Sequence, residues 1–511
     1  MSTGSAERKK KRMDHDVVDA LLERGRELVR LKSILSTLSW DQETMMPPRG
    51  GPFRAQQRST LAAICHQRLT DPELGRILED LSSRDLDPWI GASVRELTRD
   101  HRRAVLVPES LVRELSETCS LAYESWVTAR KESDFASFSP WLERILRLKR
   151  EEARCLEGPG SLYERLLDDF EPGMTTGELD RLFSHVGPRL TSLLHRIQSS
   201  PHQPDPGILR GDFPIDRQES FGREVLAAMG FEWDAGRLDR SPHPFCSGLT
   251  PLDVRITTRY LPTDFSSSFF AMVHEGGHAL YEQGLEPERY GLPACDAVSM
   301  GIHESQSRLW ENQIARGGSF WEHWLPVLQR TFPGQLDRVP LEQFLHAVNR
   351  VRASLIRVES DEVSYGLHVI LRYELEKRMI DGSLEVSDLE EAWNAGMRDS
   401  LGVVPRDSAE GVLQDVHWSQ GAIGYFPTYL LGNLYSAQIY GAAQRSMPDL
   451  EENIREGRLK PLREWLRETI HRHGRTLTAG RLIADVSGEA LKADYFLAYL
   501  EEKFKELYRL N

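Results

Sequence analysis

The residues His274-Glu275-Gly276-Gly277-His278 constrain this chain more than any other stretch of its sequence. They lie inside an apolar run, with Phe269-Phe270-Ala271-Met272-Val273 before and Ala279-Leu280-Tyr281 after. On a helix of about 3.6 residues per turn, positions four apart share a face, so His274 and His278 project side by side. Two imidazoles placed in this way can hold one Zn²⁺ at about 2.0–2.1 Å each. Glu275 falls about 100° off that axis, close enough to reach a metal-bound water without ligating the metal. That is the position of a general base beside a Lewis acid. A hydrolytic zinc site also needs a third protein ligand and one open position, so a second element must meet this helix.

The pattern HExxHxxGxxH would place Gly at 281 and His at 284. The chain has Tyr281 and Gly284, which excludes that class. A Glu on a later helix is then the natural third ligand. Glu304, in His303-Glu304-Ser305-Gln306-Ser307-Arg308, is favoured, and Glu311, two turns later on the same face, is the alternative. His303, as the neighbour of Glu304, points elsewhere on a helix. Gly276 and Gly277 each disfavour a helix interior by about 1 kcal/mol relative to Ala. Close backbone approach by a strand or by substrate would explain them.

Most of the remaining 511 residues read as helix, with apolar residues at three- and four-residue spacing. The pattern covers Val17 to Leu38, Leu142 to Leu156, Leu179 to Ile197, Leu341 to Ile356, Ser364 to Met379 and Lys460 to Ile483. Thr175-Thr176-Gly177-Glu178 and Ser387-Asp388-Leu389-Glu390 resemble helix N-caps. Two regions break the pattern: the corner Trp40 to Gly51, and the Pro-, Gly-, Asp- and Ser-rich stretch from about Pro201 to Asp264. Within the latter, Asp253 to Tyr260 alternates and is rich in β-branched residues, which predicts a strand. No boundary divides residues 16–511, so one large, mainly α-helical unit with a small sheet is expected.

Composition narrows the function. A formal net charge of −14 argues against a broad nucleic-acid-binding surface. No stretch approaches the roughly 18 apolar residues of a membrane span. Residues 1–15 carry the basic run Lys9-Lys10-Lys11-Arg12 with no apolar segment after it, which predicts a disordered tail, no secretory signal and a cytoplasmic protein. The five cysteines are scattered and form no CxxC pair, so neither a disulfide framework nor a zinc ribbon is expected.

Taken in order, the motifs resemble the carboxypeptidase Taq family of metallocarboxypeptidases over about residues 15 to 505. They are Trp40-Asp41-Gln42-Glu43-Thr44-Met45-Met46-Pro47-Pro48, His243-Pro244-Phe245, Asp253-Val254-Arg255-Ile256-Thr257 and the HEGGH segment. His303-Glu304-Ser305-Gln306, Ile356-Arg357-Val358-Glu359-Ser360-Asp361, Gly411 to Trp418 and Gly424 to Tyr429 follow. Ser360 departs from the usual Ala of that family.

The resemblance implies a helical fold with a deep cleft lined by a small sheet, and a homodimer acting on peptides. It implies His274, His278 and Glu304 as ligands of zinc, with cobalt a possible substitute, and Glu275 as base. It further implies release of single C-terminal residues with broad specificity and little activity on terminal Pro. His417 and Tyr429 resemble the His/Tyr pair of related HExxH oligopeptidases, with Tyr425 as the competing phenol; endopeptidase action is the alternative to exopeptidase action. Recognition of a terminal carboxylate calls for an arginine fork. Among Arg255, Arg352 and Arg357, the motif favours Arg357, with Arg255 supporting it from the strand edge. Asp253, Glu359 and Asp361 are expected to orient other groups, and Trp40 to Pro48 to pack.

Overall fold

The computed structural model describes the backbone of residues 3–510 and the side chains of 16–205 and 207–510. The expectation of a disordered tail over 1–15 lies outside the residues whose side chains are described. From the first helix, Thr3–Thr44, to the last, Asp494–Leu507, the chain is helix on helix around one extended apolar core. A smaller apolar cluster joins the first helix to Pro72–Ser82 and Pro88–Leu106 through Leu21, Leu28, Leu78 and Leu97. No helix among the described residues is long and apolar enough to cross a membrane.

The expected periodicity is realised in Phe135–Cys155, Thr176–Ser199 and Ser364–Asp381. Thr175 and Glu178 form a reciprocal capping box, each side chain accepting from the other's backbone N–H at 3.2 Å. The second cap does not form. Leu389–Leu401 starts from a 3₁₀ turn without a side-chain cap, and Glu390 is drawn instead to Ser408.

Two long helical stretches are shorter than their pattern. Leu341–Val348 stops because Asn349 Nδ2 donates to the carbonyls of Leu345 and Arg316 at 2.9 and 3.0 Å, so residues up to Ile356 leave the helix. The Lys460 to Ile483 pattern is split into Lys460–Thr469 and Ala479–Ser487. Gly474, at φ 50°, turns the chain between them against the Ala294 carbonyl, where any side chain would collide. The Pro- and Gly-rich region also hides a helix, Ile215–Met229, closed by Gly230 at φ 101°.

That region holds the sheet as well. β1 (Gly236–Arg240) runs parallel to β3 (Asp253–Thr258), and β2 (Cys246–Thr250) pairs antiparallel on its other side. β3 is therefore the central strand, so Arg255 does not stand on an edge as expected; it lies opposite Arg237 and Ser247. β2 and β3 pack on the HEGGH helix, Phe265–Gly284. The first helix is tied to β2 by Ser33 Oγ, which donates to Leu249 O at 2.9 Å. Between these parts lies a cavity of about 270 Å³, lined by Lys32, Glu96, Gly248, Glu282 and Tyr290.

Candidate metal centre

Phe265–Gly284 begins where Asp264 Oδ1 accepts from the N–H groups of Ser266 and Ser267 at 2.9 and 3.3 Å. It is buried around most of its circumference, and its two mid-helix glycines follow from that. A Cβ on Gly277 would stand 2.6 Å from Ser307 Cα and 2.7 Å from the Gln306 carbonyl oxygen; one on Gly276 would overlap Leu226. The close approach is thus made by another helix, Met300–Arg308, and by a core leucine, not by a strand or substrate. Gly432, on Pro427–Ser446, admits Glu304 from the opposite side in the same way. Three helices crossing at glycines bring Glu304 down onto the two histidines.

His274, His278 and Glu304 form a cluster whose candidate ligand atoms all lie within 4.8 Å of one another. Glu304 Oε2 lies 3.4 Å from His278 Nε2 and 3.7 Å from His274 Nε2. These separations exceed ordinary hydrogen bonds of about 2.7–3.2 Å. They match co-ligands instead, since two atoms bonded at about 2.0–2.1 Å to a tetrahedral centre stand about 3.3 Å apart. Two neutral nitrogens and a carboxylate oxygen suit a divalent cation of borderline softness.

Neighbouring groups hold each of these atoms in place. His274 Nδ1 donates to Glu311 Oε2 at 2.9 Å, which puts the ring proton on Nδ1 and leaves Nε2 free for the cluster. Glu311 thus bonds to the far side of the His274 ring, and the candidate donor cluster is made with Glu304 and not with Glu311. It is carried there by a wide π turn, Leu309–Ala315, and is braced by Arg316 at 2.9 Å. Arg308 Nε donates to Glu304 Oε1 at 2.7 Å, leaving Oε2 for the cluster. Burial works against charge on Glu304, yet Arg308 and the histidines hold its carboxyl well below the ordinary range. Burial, reinforced by nearby His303, lowers His278 to about 3. His303 does not point away from the site; it stacks on His278 at 4.3 Å and 15°, held by Glu282 at 2.9 Å. Glu275 is buried beside this cluster, and burial pushes its carboxyl up to about 7.

A second group of residues closes on the centre. His417 Nε2 lies 3.2 Å from the Tyr429 hydroxyl, and the Tyr425 ring packs edge-on against Tyr429 at 5.2 Å. Burial lowers His417 to about 4, so it is neutral, and raises Tyr425 to about 12 and Tyr429 well above the phenol range. Arg357, 4% exposed, donates twice to Asp415 Oδ1, at 2.8 and 3.0 Å, and once to the Tyr365 hydroxyl at 3.1 Å. Its guanidinium lies 4.9 Å from the Tyr429 ring centroid. Tyr365 in turn lies under Arg308, which links this arginine to Glu304 through two side chains. Arg255 is engaged elsewhere: it donates twice to Asp253 at 2.8 Å and stacks on buried Trp40. Asp361 accepts from the N–H groups of Arg352, Val363 and Ser364.

A sequence profile of the carboxypeptidase Taq (M32) metallopeptidase family matches residues 20–504. The chain belongs to that family. It is 45% identical to thermostable carboxypeptidase 1 of Thermus thermophilus, over 96% of this chain and 98% of that one. Carboxypeptidase 1 of Bacillus subtilis is 35% identical over 93% and 95%. The crystal structure of an M32 carboxypeptidase from Deinococcus radiodurans R1 superimposes with a TM-score of 0.94, at 39% identity over 97% of this chain and all of that one. As an M32 metallocarboxypeptidase the protein is a hydrolase, and its mainly helical fold with a three-stranded sheet is that of the family.

Sequence reasoning passed over Arg308, Tyr365, Glu282 and Arg372 in this M32 centre. Arg308 alone carried a local signal, standing four residues after Glu304 as an opposite charge on one helix face.

Proposed function

We propose that this chain is a zinc-dependent exopeptidase that releases single residues from peptide C-termini with broad preference, acting in the cytoplasm as a homodimer. One juxtaposition supports the reading best. The His274/His278/Glu304 donor set is linked through Arg308 and Tyr365 to a buried cluster, Arg357–Asp415–Arg372, of two guanidinium groups on one carboxylate. Counted over its own three members, that cluster carries one net positive charge beside the His417/Tyr429 pair, which would draw a substrate's terminal carboxylate. An enzyme cutting internal bonds has no need of such a charge.

When bound by these ligands, zinc or cobalt supplies a Lewis acid and lowers the pKa of water towards about 7. Glu275 accepts a proton from the attacking water and returns it to the leaving amine. With its proton on Nε2, His417 donates to the Tyr429 oxygen and leaves the phenol proton free for the developing oxyanion. Tyr425 stands as the second phenol within reach of that pair. A terminal Pro makes the scissile amide tertiary and places a ring on its nitrogen, which accounts for slow release.

The test uses an N-blocked peptide of about ten residues, with chelator and with restored Zn²⁺ or Co²⁺, followed by mass. A ladder losing one C-terminal residue at a time, stopped by chelator and absent for the C-terminally amidated peptide, is expected. Internal cuts would favour an oligopeptidase. Sedimentation at micromolar concentration checks the dimer.

A further inference from the structure

Ser364–Asp381 buries a carboxylate that the chemistry above does not use. Glu376 is 0% exposed and receives three donors from two separate parts of the chain. Trp418 Nε1 donates to Oε1 at 2.9 Å, while the Tyr163 hydroxyl and the Gly424 N–H donate to Oε2 at 2.8 and 3.0 Å. Trp418 directly follows His417, and Gly424 directly precedes Tyr425. One carboxylate therefore ties down both ends of the loop that joins the imidazole to the two phenols.

The surroundings make this tie decisive. Gly424, at φ 93°, presses its backbone onto Leu162–Leu167: a Cβ there would stand 2.9 Å from Leu167 N and 3.0 Å from its Cα. That short helix also supplies Tyr163, the third donor. The His417 ring packs on Phe426 and Tyr425, which belong to the same segment; its Nε2 meets the Tyr429 hydroxyl, and its buried Nδ1 has no hydrogen-bond partner among the described residues. Burying a carboxylate is unfavourable, and an apolar residue would fill the space more cheaply, but it would leave three donors unsatisfied. Burial pushes the Glu376 carboxyl up to about 7, against the pull of these three donors.

We infer that Glu376 is a positioning residue for the reaction, holding the 417–425 loop so that His417 and Tyr429 meet and face the scissile carbonyl. The inference rests on the proposed role of that pair as oxyanion donors. Gln at 376 is nearly isosteric but offers one acceptor oxygen, so at least one donor is released and the loop loosens. A displacement of about 1 Å at such a group lowers turnover by about a hundred-fold.

The experiment compares Glu376→Gln, Tyr429→Phe and the double variant of the full, metal-loaded chain on one blocked peptide. It measures kcat, KM, bound metal and thermal midpoint. Glu376→Gln is expected to lower kcat about ten- to a hundred-fold, with KM within about two-fold and metal stoichiometry unchanged. In the Tyr429→Phe background the same change should lower kcat less than about three-fold, because both act through one donor. Tyr508→Phe, which strips the buried bond from Val351 N–H to the Tyr508 hydroxyl, serves as a control with parental kcat. Parental kcat in Glu376→Gln, equal losses in both backgrounds, or loss of bound metal would overturn the inference. Should Glu376→Gln not fold, Tyr163→Phe removes a single donor and must show the same pattern at about three- to ten-fold. If Tyr429→Phe keeps its kcat, the oxyanion reading fails and takes this inference with it. A slow Tyr429→Phe beside a fully active Glu376→Gln defeats the inference alone.

Discussion

At the scale of single residues, the centre separates groups that hold a metal from groups that aim or use it. The proposed function puts Glu275 in the last kind: it lies beside the cluster, and its oxygens are not in the candidate donor set. Glu275→Gln is expected to bind metal with parental stoichiometry and to lose about two to four orders of magnitude in kcat; comparable activity in the variant would end its role as base. Glu311 aims His274. Replacing it with Ala frees the ring and strands Arg316, and should weaken metal affinity about 10- to 100-fold, read by competition with a chromophoric chelator. Unchanged affinity would mean that the hydrogen bond is incidental. The His274/His278 pair of the candidate donor set was legible in sequence because i,i+4 geometry on a helix is local, whereas Glu304, on a separate helix, was favoured over Glu311 only by spacing and by the family resemblance. Spacing alone kept Glu311 open as the alternative because the π turn after Arg308 shifts the helical register, and nothing in Leu309 to Ala315 announces that turn. The Arg357–Asp415–Arg372 cluster was legible only in part: its members come from three segments, and their meeting depends on packing among them.

At the scale of elements, glycine placement decides how closely the helices cross. Gly277 allows the backbone of Met300–Arg308 to lie against the HEGGH helix, and a methyl group there meets backbone, not a movable side-chain end. Gly277→Ala should destabilise the fold by about 1–3 kcal/mol and separate Glu304 from the histidines, so metal affinity falls together with the melting temperature. A variant that keeps both would show that the crossing has slack. The sequence signalled that backbone must approach here, since two glycines mid-helix have a local cost, but it could not name the partner. The same limit explains the helices that proved too long. Apolar spacing runs unbroken through Asn349 and Gly474, whereas the stops come from an Asn side chain reaching two carbonyls and from a left-handed glycine beside Ala294. Ile215–Met229 was lost for the opposite reason: its Pro- and Gly-rich flanks dominate a helix of moderate amphipathicity.

For the whole molecule, histidines that the core keeps neutral make folding stability depend on pH, alongside buried carboxylates such as Asp415 held low by arginines. His368 is fully buried, its Nε2 donates to the Ser354 carbonyl at 2.9 Å, and its other nitrogen faces Arg372. Burial first, and then the Arg372 charge, lower its pKa to about 3. The unfolded chain protonates this imidazole near its ordinary value of about 6.5, while the folded one does not. Between those limits the unfolded state binds the extra proton, so folding stability rises with pH and is lost as pH falls through about 6.5. One such group contributes a slope of about 1.4 kcal/mol per pH unit across that window. Gln at 368 can still donate to Ser354 and has no proton to gain. The stability of His368→Gln, measured by urea unfolding from pH 6.5 to 4.5, should therefore fall more gently than that of the parent, by close to one proton's slope. His471, buried against Gln306 of the Glu304 helix and likewise lowered to about 3, should show the same difference independently. Parallel pH profiles for parent and variant would mean that His368 charges inside the folded protein, which the flanking arginines and the absence of a carboxylate bonded to its ring both oppose.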